Sequence, residues 1–254
     1  MLALVLASQL AAAEVRRLPA EEARQGAAAD ASAVYAVDNS RIGRYNKASG
    51  RRIAAWTGDP RLFPHLNSCS VRGTALVCAA SNYPAVPMQS RVVTFDARTL
   101  KLRRVRDLGA AYGSLTWLDW RDGGWWACFA HYDGKGGEPG RDHRSTTLVR
   151  YTPGFRATAR WRFPDTVLAR FAPRSASGGA WGADGLLYVT GHDRPELYVL
   201  QVPPGGGTLR HVATLATPTG GQAIGWDPAE ARLLWSIDRR TRALVASRVP
   251  VVAP

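Results

Sequence analysis

Five histidines and a few short polar corners carry most of the chemistry available to this 254-residue chain. His131-Tyr132-Asp133 and His192-Asp193 each set an imidazole close to a carboxylate, directly after an apolar run. An imidazole exchanges a proton near neutral pH, and a neighbouring carboxylate fixes its tautomer. His131, Asp133, His192 and Asp193 are therefore the candidate catalytic set. Turn geometry asks for Gly and Asp, but not for His. The plain alternative is that each Asp caps its own turn and each His packs against a neighbour.

Gln25, His65, Asn67, Asn82, Tyr83, Tyr132 and Gln222 are candidate ligand-binding residues, the two tyrosines because they could stack on a ligand ring. His65, His131 and His192 would suit zinc if they converged. Asp38, Asn39, Asn67, Asn82 and Asp133 would suit calcium. A divalent metal ion is thus one candidate cofactor, although the sequence holds no compact metal signature and leaves the cofactor unknown. His143 and His211 read as surface residues.

Other chemistries lack their motifs. There is no Gly-x-Ser-x-Gly, no phosphate loop and no haem-attachment Cys-x-x-Cys-His. "PPGGGT", from Pro203 to Thr208, reads as a hairpin turn far from the axis. Cys128 sits mid-strand in "WWACFA" and reads as buried.

The elements that must position these residues are legible as repeats. Five tight turns, near Asp30, Gly73, Asp122, Asp184 and Asp227, each precede an apolar or alternating run: "AVYAV", "ALVCAA", "WWACFA", "LLYVT" and "RLLWSI". Such runs, bounded by Gly, Asp and Pro, signal strands. Polar stops follow at Asp38, Asn82, Tyr132, His192 and Asp238, spaced by 44, 50, 60 and 46 residues. Propeller blades of four strands take roughly 40–50 residues each. The long step contains "GKGGEPGRDHR", Gly134 to Arg144, read as an inserted loop that could act as a lid or could be a plain solvated insertion. The expected fold is all-β: a single five-bladed β-propeller of four-stranded antiparallel blades over residues 14–254. The fifth repeat runs out of chain, so the segment near "EVRRLP" is expected to close the ring. In such a wheel the turns between second and third strands share one face with the connections between blades. All the candidates above would then surround one mouth.

"GLLYVTGHDRPELYVL" and "AVYAVDNSRIGRYNKASGRRIAAW" resemble the YVTN-type propeller repeat, whose Tyr-Val-Thr-Asn-like run leads into a strand and then a Thr-Gly-like turn. That superfamily is functionally mixed, so the resemblance implies a propeller and not a reaction. "ARQGAAAD" resembles the first blade of five-bladed glutamine cyclotransferases, with Gln25-Gly26 matching a Gln-Gly pair. Tyr35-Ala36 stand where that family carries an acidic residue.

Composition sets the outer bounds. The net charge is +13, and of 33 basic residues only three are lysines, Lys47, Lys101 and Lys135. The arginines are scattered and not interleaved with aromatics as on a stacking platform, so no nucleic acid is expected. Weak attraction to acidic partners remains. Residues 1–13, "MLALVLASQLAAA", read as a signal-peptide-like segment cleaved before Glu14, too short for a membrane span, which needs about 20 apolar residues. The expected location is secreted or periplasmic. Cys69 and Cys78 could meet in a hairpin turning at Gly73-Thr74, or could be two buried thiols, the reading favoured by the sequence. Taken together, the expectation is an exported propeller binding a small polar ligand, either as an enzyme of hydrolase, lactonase or cyclotransferase type or as a non-catalytic ligand- or protein-binding module.

Overall fold

Apolar runs of four to eight residues, broken by Gly, Asp and Asn, fold here into five antiparallel sheets around a common axis. The computed structural model describes residues 10–253. Blade I holds strands A to D at Gly26–Ala29, Ala33–Asp38, Arg41–Asn46 and Arg52–Thr57. Blade II holds His65–Arg72, Ala75–Ser81, Ser90–Asp96 and Leu102–Gly109. Blade III holds Ser114–Arg121, Gly124–Ala130, Thr147–Tyr151 and Ala157–Arg162. Blade IV holds Gly178–Trp181, Leu187–Thr190, Glu196–Gln201 and Arg210–Ala216. Blade V holds Gly225–Trp226, Leu233–Asp238 and Ala243–Arg248 as strands A to C.

The fourth strand of blade V comes from the other end of the chain. Ala13–Pro19 pairs antiparallel with Ala243–Arg248, with Pro19 opposite Ala243 and Ala13 opposite Arg248. Closure in this way completes the last blade and ties the two ends of the chain into one sheet, the arrangement by which propellers keep only short edges. The signal-like segment 1–13 lies outside the described residues as far as residue 9. Within its remainder, the Ala12 amide donates to Ala216 O at 2.8 Å, on blade IV.

Cores form between blades, because each sheet is apolar on both faces. Trp117, Trp161, Phe163 and Tyr198 fill the space between blades III and IV. Val77, Leu115, Trp125 and Phe129 fill that between II and III. Burying one such side chain contributes roughly 1.5–3 kcal/mol. Near the axis some innermost positions leave no room for a side chain. A Cβ on Gly26 would lie 2.3 Å from the Ala223 Cβ. One on Gly179 would lie 2.4 Å from the Trp117 ring.

One expectation needs correction. Cys69 and Cys78 are not free thiols: they are bonded across the blade II hairpin, whose turn residue Gly73 takes φ +57°. "PPGGGT" lies, as expected, in the hairpin connection between strands C and D of blade IV. Its Gly207–Thr208 adds in parallel to the outer strand of blade III, opposite Trp161 and Arg162, and covers that edge. Among the described residues the single α-helix, Asp165–Phe171, links blades III and IV.

Blades V and I are also tied by a buried ion pair. Lys47 Nζ lies 2.6 Å from Asp227, whose carboxylate also accepts from Trp235 Nε1 at 2.8 Å. Asp227→Ala leaves Lys47 charged and unpaired among buried groups. It is expected to cost about 3–5 kcal/mol, read as a lower denaturant midpoint with an unchanged slope. An unchanged midpoint would show that this tie does not hold the blades.

Candidate functional site

The B–C turns and the connections between blades gather at one end of the wheel, so the ring geometry decides which polar residues meet. Blade I contributes Asp38 and Asn39, where strand B turns into C. Asp38 is 7 % exposed and attracts three arginines: Arg41 at 3.1 Å, Arg24 at 3.6 Å and Arg242 at 4.0 Å. Asn39 Oδ1 accepts from Gln25 Nε2 at 2.9 Å and lies 2.7 Å from His65 Nδ1. That contact assigns the His65 proton to Nδ1, since a carbonyl oxygen can only accept. Burial, and then the neighbouring His192, push the His65 imidazole down to about 4. It is neutral at physiological pH.

An aromatic arc continues from His65. The Tyr83 ring lies 5.0 Å from the His65 ring and 5.0 Å from the Tyr132 ring. The Arg174 guanidinium, just beyond the helix, donates to the Tyr83 hydroxyl at 3.4 Å. Burial raises the Tyr132 phenol well above its usual range, so it stays protonated.

Blades IV and V complete the circle. His192 Nδ1 sits 2.5 Å from Asp193 Oδ1, and its Nε2 is 3.4 Å from Arg239. Donation from Nδ1–H to the carboxylate leaves the Nε2 lone pair turned toward Arg239. Burial lowers the His192 pKa, Asp193 opposes that, and Arg239 and Arg174 reinforce it. Gln222 Nε2 donates to the His192 carbonyl at 3.2 Å and holds the turn. A hollow of about 330 Å³ opens between His192, Gly220, Gly221 and Arg239. Beside it, Arg24, Arg239, Arg240 and Arg242 bound another of about 400 Å³. Burial, and then Arg24, pull the Arg242 pKa below its usual value, and Arg41 and Arg239 add to this. The positive character of this hollow rests on its lining, which is four arginines.

His65, Gln25, Tyr83, Tyr132, His192, Asp193 and Gln222 thus line or brace this mouth. His131 and Asp133 do not join them. The His131 ring is 3 % exposed, with Nε2 3.1 Å from the Tyr112 carbonyl and Nδ1 3.4 Å from Glu138 of the inserted loop. Asp133 instead pairs with His143, 2.6 Å away, so His143 is a docked, half-buried residue and not a free surface one. His131 and Asp133 therefore do not form an acid–base pair. The loop they hold is itself anchored: Glu138 accepts from the Met88 amide at 2.8 Å.

The three-histidine zinc arrangement does not form. Among the described residues the one group spaced for a metal is Asp133, Asp142 and His143. Its members already bond to one another and to Arg144. The calcium set is dispersed too. Asn67 donates to the Leu115 carbonyl at 2.7 Å, and Asn82 bonds both ends of its own loop, at Pro87 and Gln89. Cys128 is buried, and burial raises its thiol pKa far above normal, so it is no nucleophile. The arginine cluster was missed by sequence reasoning. Its only signal was a local one, "DRRTR" at Asp238 to Arg242, in a chain where arginine is everywhere.

His131→Ala is expected to cost about 2 kcal/mol by leaving a cavity and an unpaired carbonyl, several degrees in Tm, without altering the mouth. His192→Ala should leave Tm within a degree or two and remove whatever the mouth does. Thermal melts of both variants beside ligand titrations check this, and a reversed pattern would exchange the two roles.

No family model matches the sequence, and no curated protein matches it significantly. The fold, by contrast, has many counterparts among solved structures. The PQQ-bound aldose sugar dehydrogenase of Streptomyces coelicolor superposes with a TM-score of 0.57 at 10 % identity, covering 94 % of this chain and 98 % of that one. The Cps50 (Swd1) β-propeller domain of Myceliophteria thermophila gives 0.45 at 12 % identity, over 88 % and 83 % of the two chains. Hydrazine synthase of Kuenenia stuttgartiensis gives 0.47 at 11 % identity, over 87 % and 69 %. At such identities the likeness extends to the β-propeller fold and no further.

Proposed function

We propose that this protein is an exported propeller that binds a small polar anion at the mouth shared by its B–C turns. The observation that carries the reading is the charge imbalance there. Arg24, Arg41 and Arg242 converge on one carboxylate, Asp38. The nearby Asp238 is taken by Arg17 at 2.8 Å. Arg239 and Arg240 have no ion-pair partner among the described residues, yet they border both hollows. A carboxylate, phosphate or sulfate group would satisfy them through charge-assisted hydrogen bonds. The arc of His65, Tyr83 and Tyr132 supplies a partly apolar wall for the rest of the ligand. In this structure Gln25 braces Asn39, and Tyr35 is buried, donating to Asp30 at 2.6 Å. Export is supported by the Cys69–Cys78 bond, which suits an oxidising compartment.

A second reading, an enzyme at the same mouth, is favoured by His192. Its Nδ1 is held by Asp193 and its Nε2 lone pair meets only a long 3.4 Å contact from Arg239, which a bound hydroxyl would displace to reach the state required of a general base. A bound hydroxyl or water would lose its proton to Nε2, and Arg239 would steady the negative charge that develops.

Two outcomes test the binding reading. Among citrate, glucuronate, inorganic phosphate and neutral glucose, only the anions should raise the melting temperature. Arg239→Glu combined with Arg240→Glu should weaken that binding at least tenfold; stabilisation by glucose equal to that by glucuronate would sink the anion reading. Binding should also take up protons. An anion raises the pKa of His65 and His192 from their depressed values, so affinity grows as pH falls from 7 toward 5, and calorimetry in buffers of different ionisation enthalpy reads the uptake. In the absence of ligand the sign reverses. A folded-state pKa near 4 for His65, below the unfolded value of about 6.5, means that the unfolded chain binds the extra proton first. Stability is therefore lost as pH falls from about 6.5 to 4, and His65→Gln should flatten that loss.

A further inference from the structure

On the face opposite the mouth, blades II and III part near their outer strands and leave a hollow of about 760 Å³. Its position follows from the strands. Arg72 and Gly73 belong to the A–B turn of blade II, and Phe155 to the C–D turn of blade III, and both turns lie away from the B–C face. Val77 and Val92 form the floor on the side of blade II. The opposite wall is Trp125 with Phe155, stacked at 5.6 Å between centroids and 12° between planes.

Arginines rim this apolar floor. Register sets Arg104 opposite Thr94, which itself faces Val77, and sets Arg106 opposite Val92. The Arg72 guanidinium lies 3.5 Å from the centre of the Trp120 ring. That of Arg106 lies 5.1 Å from the centre of Phe155 and donates to the Gly154 carbonyl at 2.8 Å. No carboxylate lines the hollow among the described residues. Arg103, at the edge, is paired with Asp96, whereas Arg72, Arg104 and Arg106 have no acidic partner among them.

The two features ask for different halves of one ligand. Inorganic phosphate would satisfy the guanidinium groups and leave the valine and aromatic surface wet. A neutral hydrocarbon would cover that surface and leave three cations unpaired. Guanidinium is weakly hydrated and stacks on aromatic faces, so it accepts a flat ring and an acidic head together. The volume falls within the roughly 300–1,000 Å³ typical of small-ligand sites. We propose that this interblade hollow is a second binding site, for a small aromatic anion: a planar ring system between Trp125 and the Val77–Val92 floor, with its carboxylate or sulfonate against Arg104 and Arg106. The site stands on its own residues and does not depend on the reading of the mouth.

Titrating the full chain with 2-naphthalenesulfonate, followed by tryptophan fluorescence and calorimetry, tests the assignment. A Kd of about 10–100 µM is expected for a ligand of this size, with neutral 2-naphthalenemethanol at least tenfold weaker. Arg104→Glu with Arg106→Glu should lower sulfonate affinity tenfold or more, while Arg98→Glu, in the exposed turn of the same blade, should not. Thr94→Phe fills the hollow without changing charge and should weaken both ligands, which keeps the test open if the charge-reversed variant folds poorly. Equal binding of the neutral and anionic compounds, unchanged affinity in Thr94→Phe, or no binding at 5 mM would overturn the proposal. So would binding of an acidic peptide in place of the naphthalene compound, which would point to a protein partner.

Discussion

Closure of the ring is the constraint on which the rest depends. The strand Ala13–Pro19 pairs with Ala243–Arg248, and the two ends of the chain thereby share one blade. This pairing completes the last blade, and it also builds the mouth. Arg17, on the closing strand, takes up Asp238. Arg24, a few residues later, reaches Asp38 beside Arg242. Charges more than 200 residues apart in sequence are brought together by the backbone hydrogen bonds of the closing strand, and the like charges Arg24 and Arg242 stay close only because of it. Arginines that repel can be kept close only where the scaffold fixes them, and the seam between blades V and I is such a place.

The wheel itself was readable because its signals are local and repeated. Five polar stops in similar positions place five B–C turns, and the missing fourth strand of the last blade points to "EVRRLP" as its replacement. The contents of the mouth were only half readable. His65, Tyr83, Tyr132 and His192 lie on B–C turns or interblade connections, and so were visible as candidates. His131 lies at an equivalent place, but its ring turns toward Glu138, a residue of an insertion that the repeat does not predict. Asp133 was paired by sequence proximity with the wrong histidine. Asn67 and Asn82 look like ligands in one dimension, yet they satisfy backbone groups in three. The arginine cluster escaped because abundance conceals it: a residue type spread along a whole chain gives no pattern until closure gathers some of it at one seam.

The acidic residues of the wheel are few against its arginines, and several of them are spent as staples. On the opposite face, three A–B turns use the same device. Asp30 accepts from the Tyr35 hydroxyl, Asp184 from the Tyr188 hydroxyl and Asp227 from the Trp235 indole. Each carboxylate also meets a cation, Arg44, Arg232 or Lys47 respectively. These groups pin strand B to the turn before it, and in two cases they tie one blade to the next. With 20 acidic residues against 33 basic ones, acids run short at both ends of the wheel. Arginines stay unpaired at the mouth and in the crevice between blades II and III alike.

The same device explains where the second hollow opens. Blades I, IV and V carry the acidic staple, but the A–B turn of blade II is Arg72-Gly73-Thr74, with no carboxylate to hold an aromatic partner. Blade III uses its acid differently: Asp119 accepts from the Trp120 and Trp181 amides and so binds toward blade IV, away from blade II. Nothing equivalent draws blade II and blade III together at this end. Arg72 lies over Trp120 in place of an ion pair. In the crevice between these two blades guanidinium groups and aromatic rings meet without an acid between them, and a ligand that supplies the missing carboxylate would do there what Asp30, Asp184 and Asp227 do elsewhere in the ring.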